Sequence, residues 1–134
     1  MNRLGGKVVG VQSHGSLSLV QIALRSDIVF IVIVIDTLET APYLLVGCEL
    51  EVLFKETEVI LSVEDITITT LQNKLSGLIA DIEKGNLLSR VVIGTEVGDV
   101  VAIIGTTAAE NLSLSAGQQV TLFINMSEII LAPI

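Results

Sequence analysis

Aromatic rings and cations are what this chain has least of. There is no tryptophan, and Phe30, Phe54, Phe123 and Tyr43 are its only aromatic residues. A surface for single-stranded nucleic acid needs stacking platforms along a basic track. Seven Lys and Arg scattered through a chain of net charge −8 provide no such track, so no nucleic-acid partner is expected. A lone cysteine, Cys48, excludes an intrachain disulfide and fits a reducing compartment. With a single histidine, His14, beside it, the ligands for a zinc site are missing. No nucleophile–base pair can be drawn, and no Gly-rich phosphate loop ending in Gly-Lys-Ser/Thr is present; the chain does not read as an enzyme. Long hydrophobic runs are absent too. The longest, Ile28 to Ile35, lies between Asp27 and Asp36 and falls far short of the ~20 residues of a membrane-crossing helix. It is β-branched, as a strand buried on both faces would be. The N-terminal residues lack a signal peptide's apolar core. A cytoplasmic protein without a membrane partner is the expectation.

What the chain does have is repetition. Asn73-Lys-Leu-Ser-Gly-Leu-Ile replays Asn2-Arg-Leu-Gly-Gly-Lys-Val, 71 positions further on. At that spacing Ser18 meets Ser89, Val20 meets Val91, Ile22 meets Ile93, Ile33 meets Ile104 and Glu39 meets Glu110. One deletion then shortens the spacing to 70, so that Gly47 meets Gly117 and Glu58 meets Glu128. The matched Gly, Asn, Ser and Glu carry the argument, because apolar matches come cheaply in a chain that is 51% hydrophobic. Two copies of one small fold are implied, residues 1–63 and 64–134. A unit of about 65 residues buries only about 60% of its unfolded surface. Surplus apolar residues (mean hydropathy +0.79) therefore predict interfaces between copies and between chains.

Within each copy five short strands are expected, with one short helical turn after the third. In the second copy they run Leu75–Glu83, Leu88–Gly94, Val100–Gly105, Val120–Ile124 and Ser127–Leu131. Thr107-Ala-Ala-Glu110 has the capping-box pattern, with Asp36 and Glu39 as the counterpart in the first copy. Residues 63–72 form a short, polar, β-prone link. The fold class read from this is all-β: two tandem small OB-like β-barrels, each with one short helical turn.

These residues carry a family resemblance. The stretches Gln72-Asn-Lys-Leu-Ser-Gly-Leu-Ile-Ala-Asp-Ile-Glu-Lys-Gly and Gly117-Gln-Gln-Val-Thr-Leu-Phe-Ile-Asn-Met-Ser-Glu-Ile-Ile-Leu-Ala resemble the molbindin family, tandem Mop/TOBE-type domains of molybdate-binding proteins and molybdate-responsive regulators. The resemblance implies OB-like barrels assembled as a homotrimer, with molybdate or tungstate bound between subunits and no organic cofactor. It places the anion contacts on a segment entering the unit and on a loop between its last two strands. The entering segment of the second copy is Thr70-Leu71-Gln72-Asn73, where Gln72 replaces the family's arginine. That of the first copy is largely missing ahead of Met1. The loops are Lys55-Glu56-Thr57 and Asn125-Met126-Ser127. Thr106 and Thr107 stand at the family's second class of anion site.

The chemistry behind that set is plain. Molybdate is a dianion with four acceptor oxygens and no proton to give, so its site must consist of donors. Lys55, Thr57, Thr70, Gln72, Asn73 and Ser127 are donors. Each also has a plainer reading: Lys55 as a solvated hairpin tip, Thr57 and Ser127 in turn hydrogen bonds, Thr70 as a strand residue, Thr107 as a helix cap. Gln72 and Asn73 would then satisfy backbone groups between the copies. Two functions remain open: an oxyanion buffer or sensor, and a ligand-free assembly module related to a molybdate-responsive regulator.

Overall fold

A computed structural model describes residues 1–134. The chain runs β1 (Asn2–His14), β2 (Leu17–Arg25), β3 (Ile28–Val34), β4 (Glu49–Phe54), a 3-10 turn at Glu56–Glu58 and β5 (Ile60–Ser62). It continues as β6 (Asn73–Lys84), β7 (Leu88–Thr95), β8 (Gly98–Gly105), helix α1 (Thr106–Asn111), β9 (Gln119–Ile124), a 3-10 turn at Met126–Glu128 and β10 (Ile130–Pro133). All strand pairs are antiparallel, in two five-stranded sheets ordered β10-β4-β1-β2-β3 and β5-β9-β6-β7-β8.

Alternating apolar residues explain why these segments are strands. Ser18, Val20 and Ile22 of β2 point inward, as do Ser89, Val91 and Ile93 of β7. The run Ile28–Ile35 departs from the expectation of two buried faces. Phe30 and Val32 are buried, whereas Val29 is exposed and Ile35 is 79% exposed. β9 is instead the strand buried on both sides, from Val120 to Ile124. Its outer face lies under residues 60–71 and Leu112, which share an apolar groove with Phe123. The link at residues 63–72 carries no strand and is mostly exposed, so its β-branched residues do not make it extended sheet.

Each copy sends its last strand to the other sheet. β5 pairs with β9, and β10 pairs with β4. The strand expected at Ser127–Leu131 is a 3-10 turn followed by this transferred strand. Val59 and Ile129, just ahead of the two transferred strands, are 3% and 4% exposed and anchor them. Full burial of such side chains is worth about 1.5–3 kcal/mol each.

Further geometry recurs 71 positions apart. A bulge interrupts β1 between Val8 and Gly10, and another interrupts β6 between Ile79 and Asp81. The Asn2 carboxamide accepts from the Val101 N–H at 2.8 Å and donates to its carbonyl at 2.9 Å. Asn73 does the same to Ile31, at 2.6 and 2.7 Å. A side-chain amide thus imitates a neighbouring strand on the otherwise unpaired edges of β8 and β3. The deletion, however, falls earlier than expected. Phe30 sits opposite Ile22 and Val100 opposite Ile93, so the spacing is already 70 on the third strand. An irregularity in β2 between Ala23 and Arg25 absorbs the extra residue. Ile33 therefore corresponds to Ile103, not Ile104, and Glu39 to Ala109, not Glu110.

The helical turns also differ from expectation. Gly105, not Thr107, precedes the first turn of α1, and no side chain caps it. Thr106 is drawn inward instead, and Thr107 is exposed on the helix. In the first copy only an isolated turn forms, with the Ala41 N–H on the Thr37 carbonyl at 2.7 Å. Pro42, which has no N–H to donate, stops it there. No helix is long and apolar enough to cross a membrane.

Candidate functional site

Asn73 pairs with Ile124 across β6 and β9, which brings the residues before Asn73 against the residues after Ile124. Thr70, Leu71 and Gln72 accordingly meet Asn125 and Met126 around a recess of about 230 Å³. Asn125 organises its own loop: its Oδ1 accepts from the Ser127 N–H at 3.3 Å, and its carbonyl accepts from the Glu128 N–H at 3.0 Å. Gln72 and Met126 also line a second recess of about 420 Å³ with Gly10, Val11, Gln12, Leu19, Gln21 and Ile31. No charged side chain lines either recess. Such a place can offer hydrogen bonds to an anion but no formal countercharge.

Lys55 and Thr57 lie elsewhere. The Asn2–Phe54 pairing puts their loop beside the start of β1 and against β8, whereas the Met126–Glu128 turn packs against β3. Both side chains are exposed, and the Lys55 carbonyl accepts from the Glu58 N–H at 3.0 Å. The Glu56 carboxylate turns to the Met1 ammonium at 3.1 Å. Its own backbone N–H, that ammonium and the more distant Arg90 hold its pKa below the usual carboxylate range, against a small opposing effect of burial. A single chain therefore gathers Thr70, Leu71 and Gln72 in one place and Lys55 with Thr57 in another.

The remaining predicted residues are spent or set apart. Asn73 is 1% exposed, with both amide atoms committed to Ile31. Thr106 is 7% exposed; its hydroxyl donates to the Gly85 carbonyl at 2.8 Å and lies 2.8 Å from the Ser89 hydroxyl. Thr107 and Ser127 are exposed and line neither recess. Sequence reasoning placed Asn125 in the loop that matches Lys55-Glu56-Thr57 but singled out Ser127 there as the donor, and it missed Gln12 and Gln21 as recess residues. The two hairpin glutamines had no signal short of the folded register.

Two comparisons bear on this arrangement. Residues 69–131 match the TOBE domain. No curated protein matches the chain. Among solved structures, the chain is similar to the cytoplasmic molybdate-binding protein ModG, in a PEG-grown form with molybdate bound. The TM-score is 0.89 at 24% sequence identity, covering 99% of this chain and 96% of that one. Neither match is to an enzyme family. The molbindin resemblance thus holds: the chain carries a TOBE domain match at residues 69–131 and, over its whole length, the all-β fold of a molybdate-binding protein.

Proposed function

We propose that this chain binds molybdate or tungstate in the cytoplasm, as a store, buffer or sensor, at the meeting faces of a homotrimer. The units 1–63 and 64–134 would act as two barrels that exchange their last strands. The observation that carries the reading is the recess of Thr70, Gln72 and Asn125 within the segment that matches the TOBE domain. Its hydroxyl and amides suit an anion that only accepts hydrogen bonds. Lys55 and Thr57 of a neighbouring chain would close over the donors of the first, so that anion binding and assembly reinforce each other. Exposed Ile68, Leu87 and Ile35 (95%, 84% and 79%) provide apolar surface for such contacts.

Native mass spectrometry with and without molybdate, followed by calorimetry with molybdate, tungstate and sulfate, tests this directly. A trimer carrying whole-number increments of oxyanion is the expected result. A monomer that neither gains mass nor releases heat at millimolar molybdate or tungstate would end the proposal. A ligand-free assembly module is the second reading, favoured by Glu56 in the Lys55 loop and by the lack of any cation around the recess. An oligomer indifferent to all three anions would select it.

A further inference from the structure

Lys55 and Thr57, the donors expected to close over a neighbouring chain's recess, are separated in sequence by an acid. Glu56 opens the 3-10 turn, and its carboxylate lies 3.1 Å from the Met1 ammonium with 30% of the side chain exposed. Consecutive Cα atoms are only about 3.8 Å apart. An anion that touches both Lys55 and Thr57 therefore stays within about 10 Å of that carboxylate, however the two chains dock. That distance is about one Debye length at 0.1 M salt, so the charges feel each other.

The repeat shows that the acid belongs to one loop and not to the turn as such. The matching position holds Met126. The two turns have the same backbone: φ −70° and ψ 148° at Lys55, −66° and 139° at Asn125. Each is closed by a 3.0 Å bond, from the Glu58 N–H to the Lys55 carbonyl and from the Glu128 N–H to the Asn125 carbonyl. Glu58 and Glu128 are common to both turns and cannot distinguish them. Nothing in this geometry calls for a carboxylate at position 56.

We propose that Glu56 is an electrostatic brake on the oxyanion site, offsetting the Lys55 charge so that molybdate is held weakly and released readily. The proposal rests on the oxyanion-binding reading above and, among the roles named there, selects a buffer or sensor over a store. A dianion meets twice the repulsion of a monoanion at the same distance, so the brake acts on the ligand's charge and not on its size. Replacing the acid by an amide leaves Lys55 uncompensated. It also leaves the Met1 ammonium and Arg90 without their acidic neighbour.

Calorimetric titration of the full chain with sodium molybdate at 0.05 M NaCl tests this, using the wild type, Glu56→Gln and Glu39→Gln. Glu39 is exposed and follows Asp36, which the Ser18 hydroxyl ties to the hairpin end of β1, whereas the Lys55 loop lies at its Asn2 end. Its substitution removes the same unit of charge at a distance. Glu56→Gln should lower the Kd about tenfold, a gain that shrinks at 0.5 M NaCl as the carboxylate is screened, and Glu39→Gln should change it at most about twofold. Met126→Glu, which puts the acid in the other loop, should bind about tenfold more weakly than Met126→Gln. Circular dichroism and native mass spectrometry verify that each variant folds and assembles. Equal Kd values for the wild type and Glu56→Gln, or equal gains from Glu56→Gln and Glu39→Gln, overturn this inference and leave the oxyanion-binding reading intact. Should Glu56→Gln not assemble, equal Kd values for the two Met126 variants overturn it. Binding by Glu56→Gln alone supports it, and binding of molybdate or tungstate by neither protein overturns both readings.

Discussion

The Lys55 loop and the Asn125 loop occupy the same place in the repeat and offer opposite chemistry. Both are 3-10 turns, and both follow a strand that pairs with an Asn-led partner. One presents Lys55 and Glu56, with Arg90 within electrostatic reach; the other presents Asn125 and Met126, with Leu19 at the place corresponding to Arg90. Beneath them the scaffold is alike. Asn2 and Asn73 hook opposite edges, Gly6 and Gly77 admit close strand contacts, and Gly47 and Gly117 take positive φ of 97° and 87°. What the difference teaches is that positions disciplined by the backbone have stayed the same, while positions that face outward have been free to trade charge for amide.

The sharpest way to break that comparison is at the paired glycines. A Cβ on Gly77 would lie 2.7 Å from the Gly94 carbonyl oxygen and 2.6 Å from Ile93 Cγ2. On Gly6 the nearest atom would be Ile22 Cγ2 at 2.5 Å, with the Ala23 carbonyl at 3.2 Å. Overpacking costs about 1–3 kcal/mol, and a backbone oxygen yields less than a methyl group. Gly77→Ala should therefore lie near or above the top of that range and Gly6→Ala nearer the bottom, measured by urea denaturation. Equal losses would show that the two sheets are equally rigid at this contact.

Asn73→Ala and Asn2→Ala come next. Each strips partners from one N–H and one carbonyl on a strand edge, at about 1–3 kcal/mol per unsatisfied buried group. Because Ile31 and Val101 are only half-buried, the total should stay near 2 kcal/mol for each. Denaturation midpoints that fall together support the equivalence of the hooks; a twofold disparity in the stability lost would break it.

Thr106→Val and Asp36→Ala sharpen the contrast between helix and turn. Thr106 loses its bond to the Gly85 carbonyl and its contact with Ser89, about 1–2 kcal/mol for a buried hydroxyl. At the corresponding place in the first copy the Ser18 hydroxyl donates to the Asp36 backbone carbonyl at 2.6 Å, which the alanine retains; it gives up only the exposed bond from the Thr40 hydroxyl to the Asp36 carboxylate, at 3.0 Å. Thermal melts should show a clear drop for Thr106→Val and a smaller one for Asp36→Ala.

The smallest effect is electrostatic and confined to the Lys55 end. The folded-state pKa of Glu56 is depressed, so its contribution to stability is present above the unfolded value of about 4.3 and disappears as pH falls through the lower folded value. Glu56→Gln should be slightly less stable than wild type at pH 6, and the two melting curves should merge as the solution is acidified below pH 4. Met126→Leu, at the corresponding position of the other loop, should give a difference that does not vary over that range.

Much of the fold was legible because repetition made each apolar pattern appear twice. The strands β6 to β9 fall within a few residues of their expected limits, and the turns at Gly47 and Gly117 were visible as matched glycines. The exchange of β5 and β10 was not legible, since β-strand periodicity tells a strand which face to bury and says nothing about which sheet it joins. The buried place of Thr106 was likewise hidden, because a capping pattern reads the local helix and not the pull of Ser89 from a neighbouring strand. Of the candidate site, Thr70 to Gln72 stood out through the resemblance. Gln12 and Gln21 did not, because only the bulge after Val8 brings Gln21 opposite Gly10.

The exchanged strands also dictate when this molecule can finish folding. β4 leaves the ribosome with one edge bare and must wait for Ile130–Pro133, while β5 emerges before the β9 on which it will lie. Neither sheet can be completed from the first half of the polypeptide alone. A nascent chain stalled midway would expose the apolar flank of β4 to other nascent chains, so translation speed and chaperone occupancy become part of what this architecture requires.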